Sequence, residues 1–325
     1  MQTTPIVGHK LQIENLLEDL SGSNVSHAYL FAGPRHVGKF TVAKWFAKTL
    51  LTSGAKNPEA AQAISDQVDR LIHPDLFVLD QLWIEEQCED FDVIGKSSNI
   101  PQQHRSKAKA KTDTISIEDV RVLHERLFEI GTGTWRCCLI RSIERMQTEA
   151  ANALLKMLEE PPQGVVFILT TESPSAVLPT ILSRTRMLRF YHLSRVELLP
   201  LVEGLEPEES HFLLRRAQGA PGIVRRLRDD PDFLREEKLT AGQAAEFWRS
   251  ASLMERLQLL KPLAERGEAA DAFVLHLALA LREEDSAERL RLSRSLHDLI
   301  RGLKTNAQRK LLAQRFALEI EGTNV

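Results

Sequence analysis

Short apolar runs alternate with helix-like segments between about residues 25 and 192. The runs are continuous instead of alternating with polar residues, which is typical of strands that helices bury on both faces. Alternation of such strands with helices predicts a parallel sheet. Five strands are predicted, at residues 27–31, 76–79, 136–140, 165–171 and 187–190. This region is therefore predicted to be an α/β domain.

Helical segments are predicted between these strands, for example at residues 42–51 and 149–158. Residues 116–119 (SIED) form a capping box that opens a further helix. Between about residues 85 and 114 periodic apolar positions are missing, so we predict a flexible insertion there. Its basic run at residues 105–111 could contact DNA or an acidic partner, although most such runs are solvated loops.

The strand pattern ends near Tyr191, and helical patterns follow. A helical segment at about residues 196–217 leads to the sequence GAPG at 219–222, which is a helix stop. Helix N-caps are then predicted at Ser252, Asp285 and Asn306. We predict three domains: an α/β domain at residues 1–192, a small helical lid at 193–231 and an all-helical domain at 232–325.

The segment from Ala269 to Leu281, in the third predicted domain, is apolar nearly all the way round a helix. Such a helix needs neighbours on several sides. It suits either the core of a helical bundle or an interface between subunits, and the sequence leaves both interpretations open.

Composition places the chain among globular proteins that fold in water, with 43% hydrophobic and 27% charged residues. A net charge of -3 argues against a surface that binds nucleic acid as a whole, although a local basic patch is compatible with it. Apolar stretches such as Phe273–Leu281 are shorter than the roughly 20 residues of a membrane span, and the N-terminus lacks the regions of a signal peptide. We predict a cytoplasmic protein with no membrane partner.

The three cysteines are Cys88, Cys137 and Cys138. An adjacent pair within an apolar run cannot supply a disulfide framework or a four-ligand zinc site. We therefore predict buried, unreactive thiols and no bound zinc.

A phosphate-loop motif, GPRHVGK, occupies residues 33–39, after a predicted strand and before a predicted helix. Glycines allow successive backbone N–H groups to turn toward a phosphate, the helix N-terminus adds its dipole, and lysine neutralises phosphate charge. The candidate residues for binding a nucleotide phosphate at this loop are therefore Gly33, Gly38 and Lys39, together with Thr41 on the helix that follows.

The residues that should hold Mg²⁺ beside this loop are altered. A Ser or Thr hydroxyl is expected directly after the lysine, but Phe40 stands there and Thr41 comes one position late. An acidic pair is expected at the end of a second strand, but Arg141 and Ser142 stand there and Glu144 comes too late. Two losses of metal ligation argue against hydrolysis and predict weak or absent nucleotide binding.

Several motifs resemble the AAA+ clamp-loader subunits of bacterial DNA polymerase III, of the gamma and delta-prime type. They are TEAANALLKMLEEPP at 148–162, FILTT at 167–171, LPTILSRT at 178–185, HPDL at 73–76 and IVGH at 6–9. The resemblance covers most of residues 1–230, and the last third matches in length and helical character only. It implies an AAA+ P-loop domain followed by a helical lid and a C-terminal helical collar domain for oligomerisation.

Within that family the gamma subunits keep the catalytic residues and a four-cysteine zinc module, whereas residues 52–72 here contain no cysteine. Loss of zinc is compatible with either branch. Delta-prime subunits commonly carry a degenerate phosphate loop, so the altered metal positions favour the delta-prime branch. Gly222 stands where active members have the sensor-2 arginine, and Thr185 replaces a cysteine of the family's Ser-Arg-Cys motif, which puts only local packing in doubt.

The resemblance implies that Arg184 acts in trans as an arginine finger on ATP bound to a neighbouring gamma-type subunit. Ser183 would support the finger, and Arg186 could substitute or assist. The implied partners are gamma/tau-type and delta-type subunits, the sliding clamp and primer-template DNA, contacted mainly through phosphates. No cofactor would be required, with at most weakly bound ATP or ADP, and the ATPase sites would lie in neighbouring subunits of the polymerase holoenzyme.

Other interpretations remain open from the sequence. The chain could be a gamma-type motor ATPase, in which Thr41 or water restores Mg²⁺ binding and another acid replaces the missing pair. It could be a small-molecule P-loop kinase, although Phe40, Arg141 and the helical last third count against this. It could also be a scaffold in which Arg184 pairs only with a local carboxylate.

Overall fold

A five-stranded sheet lies at the centre of the first of two units into which the chain divides. The computed structural model describes residues 6–79, 114–128, 131–283 and 289–321. The first unit comprises the residues up to 200 together with 219–221, and the second comprises 201–218 together with the residues from 222 onward. The three-domain division, with boundaries after residues 192 and 231, stays a prediction.

All neighbouring strands of the sheet are parallel, in the order β2-β3-β4-β1-β5. The strands are β1 (Ala28–Ala32), β2 (Leu76–Leu79), β3 (Arg136–Ile140), β4 (Val165–Thr171) and β5 (Arg186–Arg189). Every residue of β1 to β4 is buried, as expected for strands covered on both faces. The predicted α/β class with a five-stranded parallel sheet is confirmed, with β1 and β5 each displaced by one residue.

One helix of the first unit precedes β1, and the others lie between the strands or after β5. The helices are α1 (Lys10–Ser21), α2 (Lys39–Thr52), α3 (Pro58–Asp69), α4 (Ile117–Phe128), α5 (Thr148–Glu159), α6 (Pro179–Leu182) and α7 (Arg195–Leu198). The predicted capping box before α4 is present, because the Asp119 carboxylate accepts from the backbone and hydroxyl of Ser116. Asn57 caps α3 by accepting from the Ala60 N–H.

The second unit is helical throughout its described residues. Its helices are α8 (Pro207–Ala217), α9 (Pro221–Asp229, whose first residue belongs to the first unit), α10 (Pro231–Arg249), α11 (Leu253–Leu259), α12 (Glu268–Glu283), α13 (Arg289–Leu303) and α14 (Arg309–Glu321). Helices α10 to α14 share a core that contains Phe247, Phe273 and Phe316, each at most 2% exposed. Phe273 and Leu277 of the apolar segment in α12 belong to this core, so at least part of that segment is used within the chain.

Some local predictions are confirmed and others are wrong. Ser252 caps α11, as predicted. Asn306 is not an N-cap, because α14 begins only at Arg309 and the Thr305 hydroxyl accepts from the Ala307 N–H instead. The predicted helical segment at 196–217 is broken between α7 and α8. The predicted N-cap at Asp285 and almost all of the predicted insertion at 85–114 lie outside the described residues.

Two of the three cysteines can be placed, since Cys88 lies outside the described residues. Cys137 and Cys138 are fully buried in β3 and form no disulfide. Burial raises the pKa of both thiols, so they remain protonated and unreactive, as predicted. None of the described helices combines the length and the apolar character needed to cross a membrane.

Candidate functional site

The phosphate-loop motif connects the end of β1 to the first residue of α2. A side chain at Gly33 would collide with the backbone oxygen of Phe190, and the Gly33 N–H donates to Thr171 O at 3.1 Å. Gly38 caps α2 with a φ of 103°, a left-handed conformation that favours glycine. Both predicted glycines are therefore required by the loop geometry, which presents the positive end of α2.

Lys39 is buried, and its ammonium group is already hydrogen-bonded within the loop. Its Nζ donates to the backbone oxygens of Gly33 and Pro34, both at 2.6 Å. Burial lowers the pKa of Lys39, and the positive charge of Arg141 lowers it further, while the carboxylate of Glu172 opposes the shift. The predicted phosphate-binding residues Gly33, Gly38 and Lys39 thus lie together, with the lysine held by backbone oxygens.

Phe40 and Arg141, at the two positions where Mg²⁺ ligands were expected, contact each other. The guanidinium carbon of Arg141, which directly follows β3, lies 4.6 Å from the centre of the Phe40 ring at the start of α2. This is the geometry of a cation–π interaction. Mg²⁺ requires oxygen ligands, and here an aromatic ring faces a guanidinium. Thr41 lies one residue further and points about 100° further round the helix than Phe40. The loop residues Gly33, Gly38 and Lys39 fit a phosphate group. Phe40 and Arg141 beside them do not offer the oxygen ligands that Mg²⁺ needs.

Two carboxylates, those of Glu144 and Glu172, lie beside the phosphate loop. The sequence analysis set Glu144 aside and did not identify Glu172. Glu172 directly follows β4, and it accepts from Arg35 Nε at 2.7 and 2.8 Å. The Glu172 N–H donates to Glu144 Oε1 at 3.2 Å, and both carboxylates raise the pKa of Lys39. Because parallel strands end at one edge of a sheet, the position of Glu172 after a buried strand could have predicted its place.

His9 supports the phosphate loop from the side, a role that the sequence analysis did not assign. Its Nε2 lies 2.6 Å from the backbone oxygen of Val37. A carbonyl oxygen only accepts, so Nε2 carries the proton and donates. Burial lowers the pKa of His9, which favours the neutral ring. The ring also packs edge-on against Phe190, with centroids 4.8 Å apart.

Arg184 and Ser183 lie together just after α6, away from any described contact with the phosphate loop. Arg184 Nη2 pairs with Glu159 Oε1 at 2.8 Å, and these side chains are 36% and 49% exposed. Arg184 Nη1 donates to Thr180 O at 3.0 Å and to Ser183 Oγ at 3.2 Å. Ser183 therefore contacts the guanidinium of Arg184 directly, and its own hydroxyl donates to Thr180 O at 3.0 Å. The ion pair between Arg184 and Glu159 is exposed to solvent.

Arg186, two residues further on, has a different environment. Its guanidinium forms an ion pair with Asp19, whose side chain is only 6% exposed. The same carboxylate accepts from the Tyr29 hydroxyl at 2.8 Å. Arg186 is thus tied to a buried hydrogen-bonded network, whereas Arg184 is held by an exposed partner.

Two further predictions concern Gly222 and the binding of a metal ion. Gly222 lies in the first turn of α9, and its assignment to the sensor-2 position stays a prediction. Within the part of the chain that the structure describes, no group of three or more His, Cys, Asp or Glu side chains could hold a metal ion.

Comparison with protein families identifies the family of this chain. The sequence model of the family described as "DNA polymerase III, delta subunit" matches residues 8–194. The gamma/tau subunit of DNA polymerase III from Mycobacterium tuberculosis strain H37Rv is 28% identical over 220 residues, which is 67% of this chain and 32% of that protein. The delta-prime subunit from Bacillus subtilis is 26% identical over 219 residues, 66% of this chain and 58% of that protein.

A solved structure shows the same fold. The gamma subunit-related protein of DNA polymerase III from Thermotoga maritima has a TM-score of 0.54 at 18% identity, over 96% of this chain and 99% of that one. At 18% identity this structural similarity shows the fold alone. In the sequence comparison, the chain spans about a third of the length of the gamma/tau subunit.

Proposed function

The chain belongs to the DNA polymerase III delta subunit family, as an AAA+ subunit of the clamp-loader type, and from this premise we propose that it is a delta-prime-like subunit. In this proposal it is a largely ATPase-inactive stator. It supplies Arg184 as an arginine finger in trans and helps to load the sliding clamp onto primed DNA during replication. Its partners are gamma/tau-type and delta-type subunits, the clamp and primer-template DNA.

The stack of Arg141 on Phe40 is the observation that carries this proposal. In a working P-loop ATPase the equivalent positions place oxygen atoms around Mg²⁺, which bridges the phosphates and neutralises developing charge. A guanidinium at this point repels a divalent cation and offers it no ligand. The chain therefore needs no cofactor of its own, and ATP or ADP would bind weakly at most through Gly33, Gly38 and Lys39.

The environment of Arg184 supports its assignment as the finger. An arginine finger must leave its resting contacts and reach a phosphate on another subunit, so an exposed partner is an advantage. Glu159 is such a partner, because water screens its attraction for the guanidinium. Arg186 is a poorer candidate, since leaving Asp19 would strand a buried carboxylate.

Contacts with DNA would be made mainly through phosphates in the assembled loader, which suits a chain with a net charge of -3. The helical second unit would supply the collar that joins the subunits. A cytoplasmic location remains a prediction from the sequence.

A motor ATPase of the gamma type is the second candidate, and Glu144 is the observation that favours it. Its carboxylate is near enough to raise the pKa of Lys39, so an acid does lie beside the phosphate loop. Phe40 and Arg141 argue against this candidate, because Glu144 alone cannot replace a metal site.

ATPase turnover distinguishes these candidates. We expect no turnover by the isolated chain. We expect turnover by the mixture with gamma-type and delta-type subunits, clamp and primed DNA, and a strong loss with Arg184→Ala. Arg184→Lys tests whether the planar fork is needed as well as the charge. Steady turnover by the isolated chain that disappears with Lys39→Ala would instead identify a motor subunit.

A gain-of-function variant tests the metal positions directly. Phe40→Thr combined with Arg141→Asp restores a hydroxyl and a carboxylate, so Mg²⁺ should tighten ADP binding about tenfold in the double variant and leave the wild type unchanged. Calorimetric titration with Mg²⁺ and with a chelator measures both. A Mg²⁺ requirement in the wild type would contradict the interpretation of the stack.

A further inference from the structure

The turn between α13 and α14 lies within a stretch of the chain that contains no carboxylate. Between Asp298 and Glu319 there are five basic residues and no acidic one. In the whole chain acidic residues outnumber basic ones by 45 to 42, so this stretch departs from the average. A local excess of positive charge is the electrostatic feature expected of a surface that binds a polyanion.

Four exposed cations around this turn form a surface that we call the basic end, made up of Arg294 and Arg301 on α13, Lys304 in the turn and Lys310 on α14. The first three follow one another at intervals of seven and three residues, which places them on one side of the helix. The buried leucines of α13 lie on the other side, at Leu296, Leu299 and Leu303. The cations therefore face away from the core of the second unit.

The four cations have no ion-pair partner among the residues that the structure describes. Asp298 lies beside Arg294 and Arg301 on the surface of α13, yet neither guanidinium is within ion-pair distance of it. Glu265 and Glu268, which precede and begin α12, are not paired with the basic end either. Unpaired exposed cations attract a polyanion, which releases its own counterions on binding. The basic end is therefore available to such a partner.

Other charged side chains of the second unit are used inside it. The carboxylate of Glu237 on α10 accepts from Arg216 Nη2 on α8 at 2.6 Å, and it lies 2.6 Å from His276 Nε2 on α12. Glu237 and His276 are each 3% exposed, so this buried network joins three helices out of contact with water. Charges that stabilise the fold are thus paired and buried here, whereas those of the basic end are neither.

Two further arginines hold the turn between α13 and α14 in place. Arg266 Nη2 donates to Thr305 O at 3.2 Å and to Asn306 Oδ1 at 3.4 Å. Arg309 Nε donates to Leu263 O at 3.0 Å. Asn306 is exposed and its amide oxygen is occupied by Arg266, so its amide N–H groups are the donors that can reach a partner. The turn thus presents a polar donor between the cations on either side of it.

The spacing and composition of the basic end suit the backbone of duplex DNA. The chain rises about 15 Å between Arg294 and Lys304, and one strand of a duplex presents about four phosphates over that length. Single-stranded nucleic acid is held by aromatic side chains on which its bases stack, and residues 289–315 contain no Phe, Tyr or Trp. Lysine, arginine and asparagine donors are the groups that contact phosphates and position a duplex without reading its bases.

We propose that the basic end of the second unit binds the phosphate backbone of duplex DNA without reading its sequence. The proposal goes beyond the proposed function, in which DNA is a partner of the assembled loader and no surface is assigned to it. It holds or fails whether or not Arg184 acts in trans, since all four cations belong to the second unit.

Binding of the full chain to a short duplex, measured by fluorescence anisotropy over a series of salt concentrations, tests the proposal. Each neutralised phosphate releases counterions, so the logarithm of the binding constant should fall with the logarithm of the salt concentration with a slope of about -3.6 for four contacts. Arg301→Ala combined with Lys304→Ala removes two of these contacts. It should reduce the slope to about -1.8 and weaken binding about tenfold at low salt.

The matched control removes the same charge from another exposed part of the second unit. Arg235→Ala combined with Lys238→Ala does so on α10, where both side chains are exposed and pair locally, and it should leave the slope unchanged. Asp298→Asn removes the carboxylate beside the cations of α13 and should tighten binding several-fold. Thermal unfolding of each variant shows that it is folded before its affinity is compared.

Two other polyanions test the class of partner. A single-stranded oligothymidine with the same number of phosphates should bind about tenfold more weakly than the duplex, because it finds no aromatic side chains to stack on and carries its charge at lower density. Polyglutamate of the same net charge should also bind more weakly, because its carboxylates have no fixed spacing.

The proposal is overturned if the duplex fails to bind at low salt, or if the double variant at the basic end loses no more affinity than the control on α10. Tighter binding of polyglutamate would make the basic end a docking surface for an acidic protein segment instead. Tighter binding of the single strand would overturn the assignment to a duplex. These titrations use the isolated chain without ATP, so their failure is distinct from a loss of turnover in the assembled loader, which tests the proposed function.

Discussion

Arg184 in the first unit and Arg216 in the second both form ion pairs, but the surroundings of the pairs differ. Arg184 and Glu159 are 36% and 49% exposed, whereas Arg216 and Glu237 are 12% and 3% exposed. Water screens the first pair, so it can separate and re-form without a large change in free energy. The second pair has no water to replace either partner, so separating it is expensive.

This difference teaches which arginine can act on another molecule. A group that must exchange its own carboxylate for a partner's phosphate has to rest in a weak contact. A group that holds three helices together has to rest in a strong one. Under the proposed function, the exposure of the partner carboxylate therefore separates an arginine that can act in trans from one that stabilises the fold.

The largest effect is expected for Arg184→Ala in the assembled loader. Removal of an arginine finger lowers turnover about 10³–10⁵-fold, and we expect a loss of this order while the isolated chain unfolds at nearly the wild-type temperature. Arg186→Ala is the matched control. It should destabilise the chain because the buried Asp19 carboxylate loses its ion pair, yet it should leave much of the turnover intact. Equal losses of turnover in the two variants would break the comparison.

Glu237→Ala should produce the largest loss of stability. It leaves Arg216 and His276 buried without their acceptor, a change that costs about 3–5 kcal/mol. Chemical denaturation monitored by circular dichroism measures the loss, and Glu209→Ala, which removes a more exposed partner of Lys238, provides the control. A loss as small as that of the control would mean that the buried network contributes little.

The pH dependence of stability gives a separate test of the same carboxylate. Burial alone would raise the pKa of Glu237, but hydrogen bonds from His276 and Arg216 outweigh it and lower the pKa from 4.5 to about 2. The ionised carboxylate therefore stabilises the fold fully above about pH 5, and this contribution of about 3 kcal/mol is lost as the pH falls toward 2.

Denaturation of the wild type and of Glu237→Gln across this range measures the effect. The difference in unfolding free energy between them should shrink steadily from pH 5 to pH 2. A difference that stays constant over this range would show that the carboxylate is not held in its ionised form by the network.

The smallest effect is expected for Glu159→Ala. Because the pair with Arg184 is exposed, its removal should change stability by less than about 1 kcal/mol. Turnover of the assembled loader should stay within about twofold of the wild type, since the finger is released and not removed. A loss as large as that of Arg184→Ala would mean that Glu159 positions the finger.

Much of the fold could be predicted because its main strands are continuous apolar runs between helices. Residues of β4, for example, are buried on both faces and leave a clear signal. The strand order could not be read in this way, because the position of β1 between β4 and β5 depends on pairing with distant residues. The end of the predicted helical segment at 196–217 was right, but its continuity was wrong, since Pro200 and Gly204 interrupt it.

In the candidate site, too, the sequence predicted local features but not contacts between distant residues. Spacing alone predicted Gly33, Gly38 and Lys39, because the chemistry of a phosphate loop is local in sequence. Spacing did not predict the contact between Phe40 and Arg141, because the two residues are far apart in sequence. Each was identified only as standing where a Mg²⁺ ligand was expected. The carboxylate of Glu144 was set aside for lying too late after β3, yet the turn that follows β3 brings it back beside the loop.

The contact between Phe40 and Arg141 also couples the effects of mutations at these two positions. Restoring a carboxylate at 141 alone would place it against an aromatic ring, and restoring a hydroxyl at 40 alone would leave a guanidinium in the place of the metal. Neither single step regains a metal site, and each one gives up the stack. The two positions are therefore coupled, and under the proposed function a metal site would return only if both residues changed together.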